Sequence, residues 1–155
     1  MIVFLTGCGF KPLYKSDNKL NFYIQSIEIG EVEGDAGRTV RSFLINKIGR
    51  KGLNKHSKKL AVKVEKFTNG IVTDENTRVS RYEITLEAQY ALFEPTDIKV
   101  GKPIVTGTFK ARASYNVLLE EISLTLASEK AAIKKASMEI ANLIANDLAI
   151  YFSRN

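Results

Sequence analysis

Residues 80–92 read SRYEITLEAQYAL, and the alternation within them decides the fold. Tyr82, Ile84, Leu86, Ala88, Tyr90 and Leu92 fall on one parity, and Arg81, Glu83, Thr85, Glu87, Gln89 and Ala91 on the other. Successive side chains of a pleated strand point to opposite faces, so this period of two predicts a long strand with one apolar and one polar face. A strand of that kind needs cover on one side only, which is the habit of an antiparallel sheet.

The neighbouring segments extend the pattern. Ile104 to Tyr115 alternates again, with Val105, Gly107, Phe109, Ala111, Ala113 and Tyr115 opposite Thr106, Thr108, Lys110, Arg112 and Ser114. The polar EPTDIKVGKP (94–103) between the two runs predicts an antiparallel hairpin. Upstream, LAVKVEKF (60–67) sets Leu60, Val62 and Val64 against Lys63 and Glu65, a third half-buried strand, and TNGIVTDENT (68–77) reads as an extended connection with turn residues. NFYIQSIEI (21–29) is aromatic and β-branched and stops at Gly30, which suits a first strand.

Two stretches carry helical spacing instead. In DAGRTVRSFLINKIGRKG (35–52), Asp35 is a plausible N-cap, Val40, Phe43, Leu44 and Ile48 share a face, and Gly49 or Gly52 would end the helix. From Ser123 to Phe152 there is no Gly or Pro, and Ile133, Ala136, Ile140, Ile144, Leu148 and Tyr151 form one stripe, predicting a long final helix. The order β-α-β-β-β-α, with one apolar face per late strand, predicts an α+β two-layer sandwich: two helices packed on one face of a four-stranded, mostly antiparallel sheet.

At 155 residues the chain fits one domain. A hydrophobic fraction of 45% with 26% charged residues excludes wholesale disorder and a fibrous repeat. The apolar C-terminal segment is interrupted by Lys134, Lys135, Glu139 and Asp147, so it falls short of the roughly 20 apolar residues of a spanning helix. The net charge of +6 favours acidic partners: nucleic acid, phosphorylated lipid or an anionic surface.

No catalytic or metal-binding constellation emerges, and no cofactor is expected. His56 stands alone in NKHSKK (54–59) without a partner for metal or proton relay. Gly7-Cys8-Gly9 begins like a dinucleotide fingerprint, but Pro12 occupies the position of its third glycine. The acids are dispersed, and Glu83 with Glu87 or Glu120 with Glu121 read as solvation. The basic residues are better organised: Arg50, Lys51, Lys55, Lys58 and Lys59 crowd one loop, while Lys63, Arg81, Lys110 and Arg112 project from polar strand faces. Such a face could grip phosphates. Equally, Glu65, Glu83 and Glu87 could neutralise it pairwise into an ordinary solvent surface. A soluble basic module for nucleic acid or another polyanion is the alternative function. Against it, Tyr82, Tyr90, Phe109 and Tyr115 lie on the helix side of the strands rather than among the cations. An enzyme whose cleft another subunit completes is a third reading.

The N-terminus holds the only cysteine. Leu5-Thr6-Gly7-Cys8 fits the bacterial lipobox, in which an apolar residue and two small ones precede the cysteine that receives lipid. Met1 to Leu5 is shorter than the roughly 7 to 15 residues of a signal core. Either a true start lies upstream, or the signal was cut, or Val3 to Leu5 begin a buried segment.

The residues after the cysteine bear on that choice. CGFKPLY (8–14) resembles the mature N-terminus of the LPS-assembly lipoprotein LptE family. RTVRSFLINKIG (38–49) resembles that family's first helix, TRVSRYEITLEAQYALFE (77–94) its central strand, and PIVTGTFKARASYN (103–116) with ASEKAAIKKASMEIANLIANDLAIYF (127–152) its last strand and helix. The resemblance implies residues 1–7 as a signal-peptide remnant, 8–18 as a lipidated tether and 19–155 as one α+β domain. It implies a non-enzymatic lipoprotein of the Gram-negative outer membrane, acylated at Cys8. Such a protein plugs and helps assemble the LptD β-barrel and helps deliver lipopolysaccharide to the cell surface. For lipopolysaccharide contacts, the family's basic position before the central strand is matched by Arg78, whereas its basic position before the last helix has no counterpart in NVLLEEISLTLAS (116–128). Arg78, Arg81, Lys110 and Arg112 are the candidates for that contact.

Overall fold

The computed structural model describes residues 26–48, 58–71, 79–95, 101–118 and 121–154. In chain order these form β1 (Ile27–Ile29), α1 (Gly34–Ile48), β2 (Lys58–Ile71), β3 (Val79–Phe93), β4 (Val105–Leu118) and α2 (Ile122–Arg154). The strands lie side by side in that order. β1 runs parallel to β2, with Ile29 beside Leu60, and β2–β3 and β3–β4 are antiparallel, so the sheet is mixed but mostly antiparallel as expected. Of the expected first strand, Ile27–Ile29 is present and 21–25 fall outside the described residues.

One strand boundary differs from expectation. β2 does not end at Phe67: Thr68, Asn69, Gly70 and Ile71 remain paired, opposite Ile84, Glu83, Tyr82 and Arg81. β3 needs a neighbour along its whole length, and the ladder's hydrogen bonds override the poor strand propensity of Asn and Gly.

The core lies between sheet and helices. Ile84, Leu86, Ala88 and Leu92 of β3 are inaccessible to solvent, as are Val40 and Leu44 of α1 and Ala136, Ile140, Ile144 and Leu148 of α2. Burial of such a side chain contributes about 1.5–3 kcal/mol. Gly34 enters α1 with φ of +77°, a backbone that L side chains avoid, and Asp35 follows within the first turn instead of capping it. There Asp35 accepts a hydrogen bond from the Arg38 guanidinium. Arg41 holds α1 to the end of β1, donating from Nε to the Gly30 carbonyl at 2.9 Å. At the other end Thr125 closes the β4–α2 corner: its Oγ1 accepts from the Leu118 amide at 3.1 Å.

The β3–β4 hairpin carries a second close fit. Tyr90 lies opposite Gly107, where an added Cβ would sit 2.5 Å from the tyrosine Cε1. The ring stacks on Phe109 at 6.1 Å, and its hydroxyl donates to the Asp147 carboxylate of α2. Burial first, then this acceptor, pushes the phenol well above its ordinary pKa.

Element lengths leave part of the sheet bare. α1 has 15 residues and β3 also 15, but a helix rises about 1.5 Å per residue and a strand about 3.4 Å. α1 therefore spans only about half of the strands it packs beside.

Candidate functional site

The helices cover one face of the sheet, and the other face is open among the described residues. β2, β3 and β4 present it in rows set by their register. Lys63, Gln89 and Thr108 share one row; Glu65, Glu87 and Lys110 the next; then Phe67, Thr85 and Arg112; then Asn69, Glu83 and Ser114; and last Ile71, Arg81 and Asn116.

The two halves of this face differ in charge state. Lys63 bonds Glu65 at 2.7 Å and Lys110 bonds Glu87 at 2.8 Å, so the rows nearer β1 are neutralised pairwise. The hydrogen bond and the charge of Glu65 hold the Lys63 ammonium above its ordinary pKa. In the far rows, Arg81 and Arg112 are exposed and form no ion pair among the described residues. Thr85 lies opposite Arg112 and four residues from Arg81, which separates the two guanidinium-bearing positions by about 14 Å along the sheet. Two exposed large apolar side chains of this face stand in the same rows: Phe67 is 47% exposed and Ile71 40%.

Of the sequence candidates, the structure thus brings Arg81, Lys110 and Arg112 onto one face and divides them. Lys110 is engaged by Glu87, while the two arginines have no ion-pair partner among the described residues. Arg78, Cys8 and His56 lie outside the described residues. Phe67 and Ile71 were not anticipated at this face. The signal existed, since the period of two runs on through Phe67, Asn69 and Ile71, but the turn-forming residues around them masked it.

Among the described residues no group of His, Cys, Asp and Glu gathers as metal ligands, and no helix is long and apolar enough to cross a membrane. What the open face offers is non-covalent: a guanidinium can bind phosphate or carboxylate through two parallel hydrogen bonds.

Comparison with known proteins adds an independent line. The family model LptE, described as lipopolysaccharide-assembly, matches residues 21–148. Among solved structures, a lipoprotein from Caulobacter crescentus CB15 superposes with a TM-score of 0.69 at 20% identity, covering 86% of this chain and 95% of that one. Rare lipoprotein B from Shewanella oneidensis gives 0.58 at 15% identity, covering 84% and 96%. A minor lipoprotein from Acinetobacter baumannii gives 0.54 at 14%, covering 81% and 89%. At such identities the likeness is one of fold. No curated protein sequence matches the chain.

Proposed function

The chain belongs to the LptE lipopolysaccharide-assembly family, and on that premise we propose that it is an outer-membrane lipoprotein that plugs and helps assemble the LptD β-barrel. In this reading Cys8 carries the lipid, residues 1–7 are the remnant of a discarded signal peptide, and 8–18 tether the domain to the membrane. The domain then faces the periplasm and the barrel interior, where it helps pass lipopolysaccharide to the cell surface without covalent chemistry.

The observation that most supports a direct lipopolysaccharide contact is the pair of arginines on the open sheet face that no acid neutralises among the described residues. Arg81 and Arg112 bind the anionic groups, Arg78 contributes before β3, and Lys110, held by Glu87, contributes least. A charge-assisted bond to phosphate is worth about 1.5–3 kcal/mol, so each arginine accounts for roughly tenfold or more in affinity.

The test is expression in a Gram-negative host with its native leader. Expected are a triacylated N-terminal Cys8 peptide by mass spectrometry, co-purification of LptD, and loss of lipopolysaccharide binding in Arg81→Ser/Arg112→Ser with LptD still retained. An unmodified Cys8 and full lipopolysaccharide affinity in the double variant would overturn the reading.

A further inference from the structure

Among the described residues one backbone edge of the sheet is left unpaired. β1 pairs with β2 only from Lys58 to Leu60, and beyond Leu60 no strand among the described residues flanks that side of β2. The opposite edge of the sheet is β4, and α2 packs chiefly along that strand. β2 has no such shield over its second half, which is exposed on both faces from Glu65 to Ile71.

One hydrogen bond fixes which groups point outward. The Leu60 carbonyl accepts from the Gly30 amide at 3.0 Å, so the N–H and C=O of Leu60 face the β1 side. Alternation then turns those of Val62, Val64, Lys66, Thr68 and Gly70 to the same side, where no described strand receives them. A long edge of this kind is a template for another strand, and proteins ordinarily blunt or cover it.

We propose that this edge pairs with the same edge of a second copy, antiparallel about a two-fold axis at Phe67. Clearance of β1, the avoidance of like charges, the length of the ladder and cover for Phe67 together set the register, since axes at Thr68 or beyond shorten the pairing and no longer oppose Phe67 to its own copy. Hydrogen-bonded pairs must join the outward-pointing residues of both chains, which permits axes only through a residue position. An axis at Val64 or Glu65 would drive Gly70 and Ile71 of one copy into the place β1 occupies beside Leu60 of the other. The axis at Glu65 would also set the two Glu65 carboxylates face to face, and one at Lys66 would do the same to two ammonium groups. An axis at Phe67 clears β1 and opposes no like charges: Lys63 meets Ile71, Glu65 meets Asn69, and Phe67 meets Phe67. The exposed aromatic ring is then covered by its own copy in a non-hydrogen-bonded pair, the closer of the two antiparallel arrangements. The lysine stem covers Ile71. Lys66 and Thr68 exchange backbone bonds twice, once on each side of the axis.

The full chain bearing Cys8→Ser, which removes its single cysteine, tests the register. Phe67→Cys places two thiols on the axis with Cα atoms about 4.5 Å apart, inside disulfide range, and is expected to cross-link on mild oxidation. Asn69→Cys separates the thiols by about 14 Å and is expected to stay monomeric on a non-reducing gel. In sedimentation velocity the parent should associate in a concentration-dependent way, and Lys66→Pro should weaken that association at least about tenfold while circular dichroism stays unchanged, because an edge tolerates proline. A parent that stays monomeric into the hundred-micromolar range would overturn the proposal, as would equal cross-linking at 67 and 69. These results are independent of whether the arginine face binds lipopolysaccharide.

Discussion

The half of the sheet next to β1 and the half beyond Glu65 are made from the same three strands, yet they behave as different materials. Near β1, α1 and α2 together seal the apolar face, and Leu60, Ala88, Tyr90 and Leu92 are buried to 3% exposure or less. Beyond Glu65, α1 has ended and only α2 continues. Large exposed hydrophobic residues gather there: Phe67, Ile71, Ile122, Leu124 and Leu126 are all at least 40% exposed. Charge follows the same division on the open face, paired in the near rows and, among the described residues, unpaired at Arg81 and Arg112. In the far half Ile84 and Leu86 stay sealed on the helix side, while β2 and the open face are left available for partners, an arrangement typical of binding regions.

The sharpest way to break this contrast is to truncate one large apolar side chain on each side. Leu92→Ala removes an inaccessible side chain and should cost about 2–5 kcal/mol in urea unfolding, whereas Phe67→Ala should cost under about 1 kcal/mol. Equal losses would mean that the far half is as well packed as the near one.

Gly107→Ala should follow at about 1–3 kcal/mol, because the new methyl meets the Tyr90 ring at 2.5 Å. Combining it with Tyr90→Leu should recover part of the loss, measured by the same unfolding curves.

Tyr90→Phe should be milder, about 1 kcal/mol for the bond to Asp147. It also carries a pH signature. The folded phenol titrates above its ordinary value of 10.0, so between the two pKa values the folded chain holds a proton the unfolded chain has lost. Stability from this group is full below about pH 10 and declines as pH rises past it. Thermal melts from pH 8 to 11 should show a steeper fall in the parent than in the phenylalanine variant.

The smallest effect belongs to the link across the far half, Lys66 to Glu129 at 3.3 Å, with side chains 39% and 28% exposed. Lys66→Met should change stability by at most about 0.5 kcal/mol and less in high salt.

Much of the near half was legible in the sequence. Alternation gave β3 and β4, and helical spacing picked out Val40, Leu44, Ile48, Ala136, Ile140, Ile144 and Leu148, because these patterns record burial directly. The far half was harder to read. Thr68, Asn69 and Gly70 have turn chemistry, and only pairing with β3 makes them strand, a tertiary cause that a local pattern does not contain. On the open face the alternation placed Lys63, Arg81, Lys110 and Arg112 together. Which of them a carboxylate neutralises depends on register and rotamer, so Lys110 and Arg112 looked alike in sequence and differ in the fold.

The notch at Gly107 bears on how relatives of this chain can vary. Sliding β4 by two residues would preserve every polar and apolar assignment in the hairpin, so alternation alone does not distinguish the two alignments. The flat seat beneath Tyr90 does, since neither Val105 nor Phe109 could lie under that ring as Gly107 does. Positions 90 and 107 are therefore bound to change together: a relative with a side chain at the second should carry a smaller residue at the first.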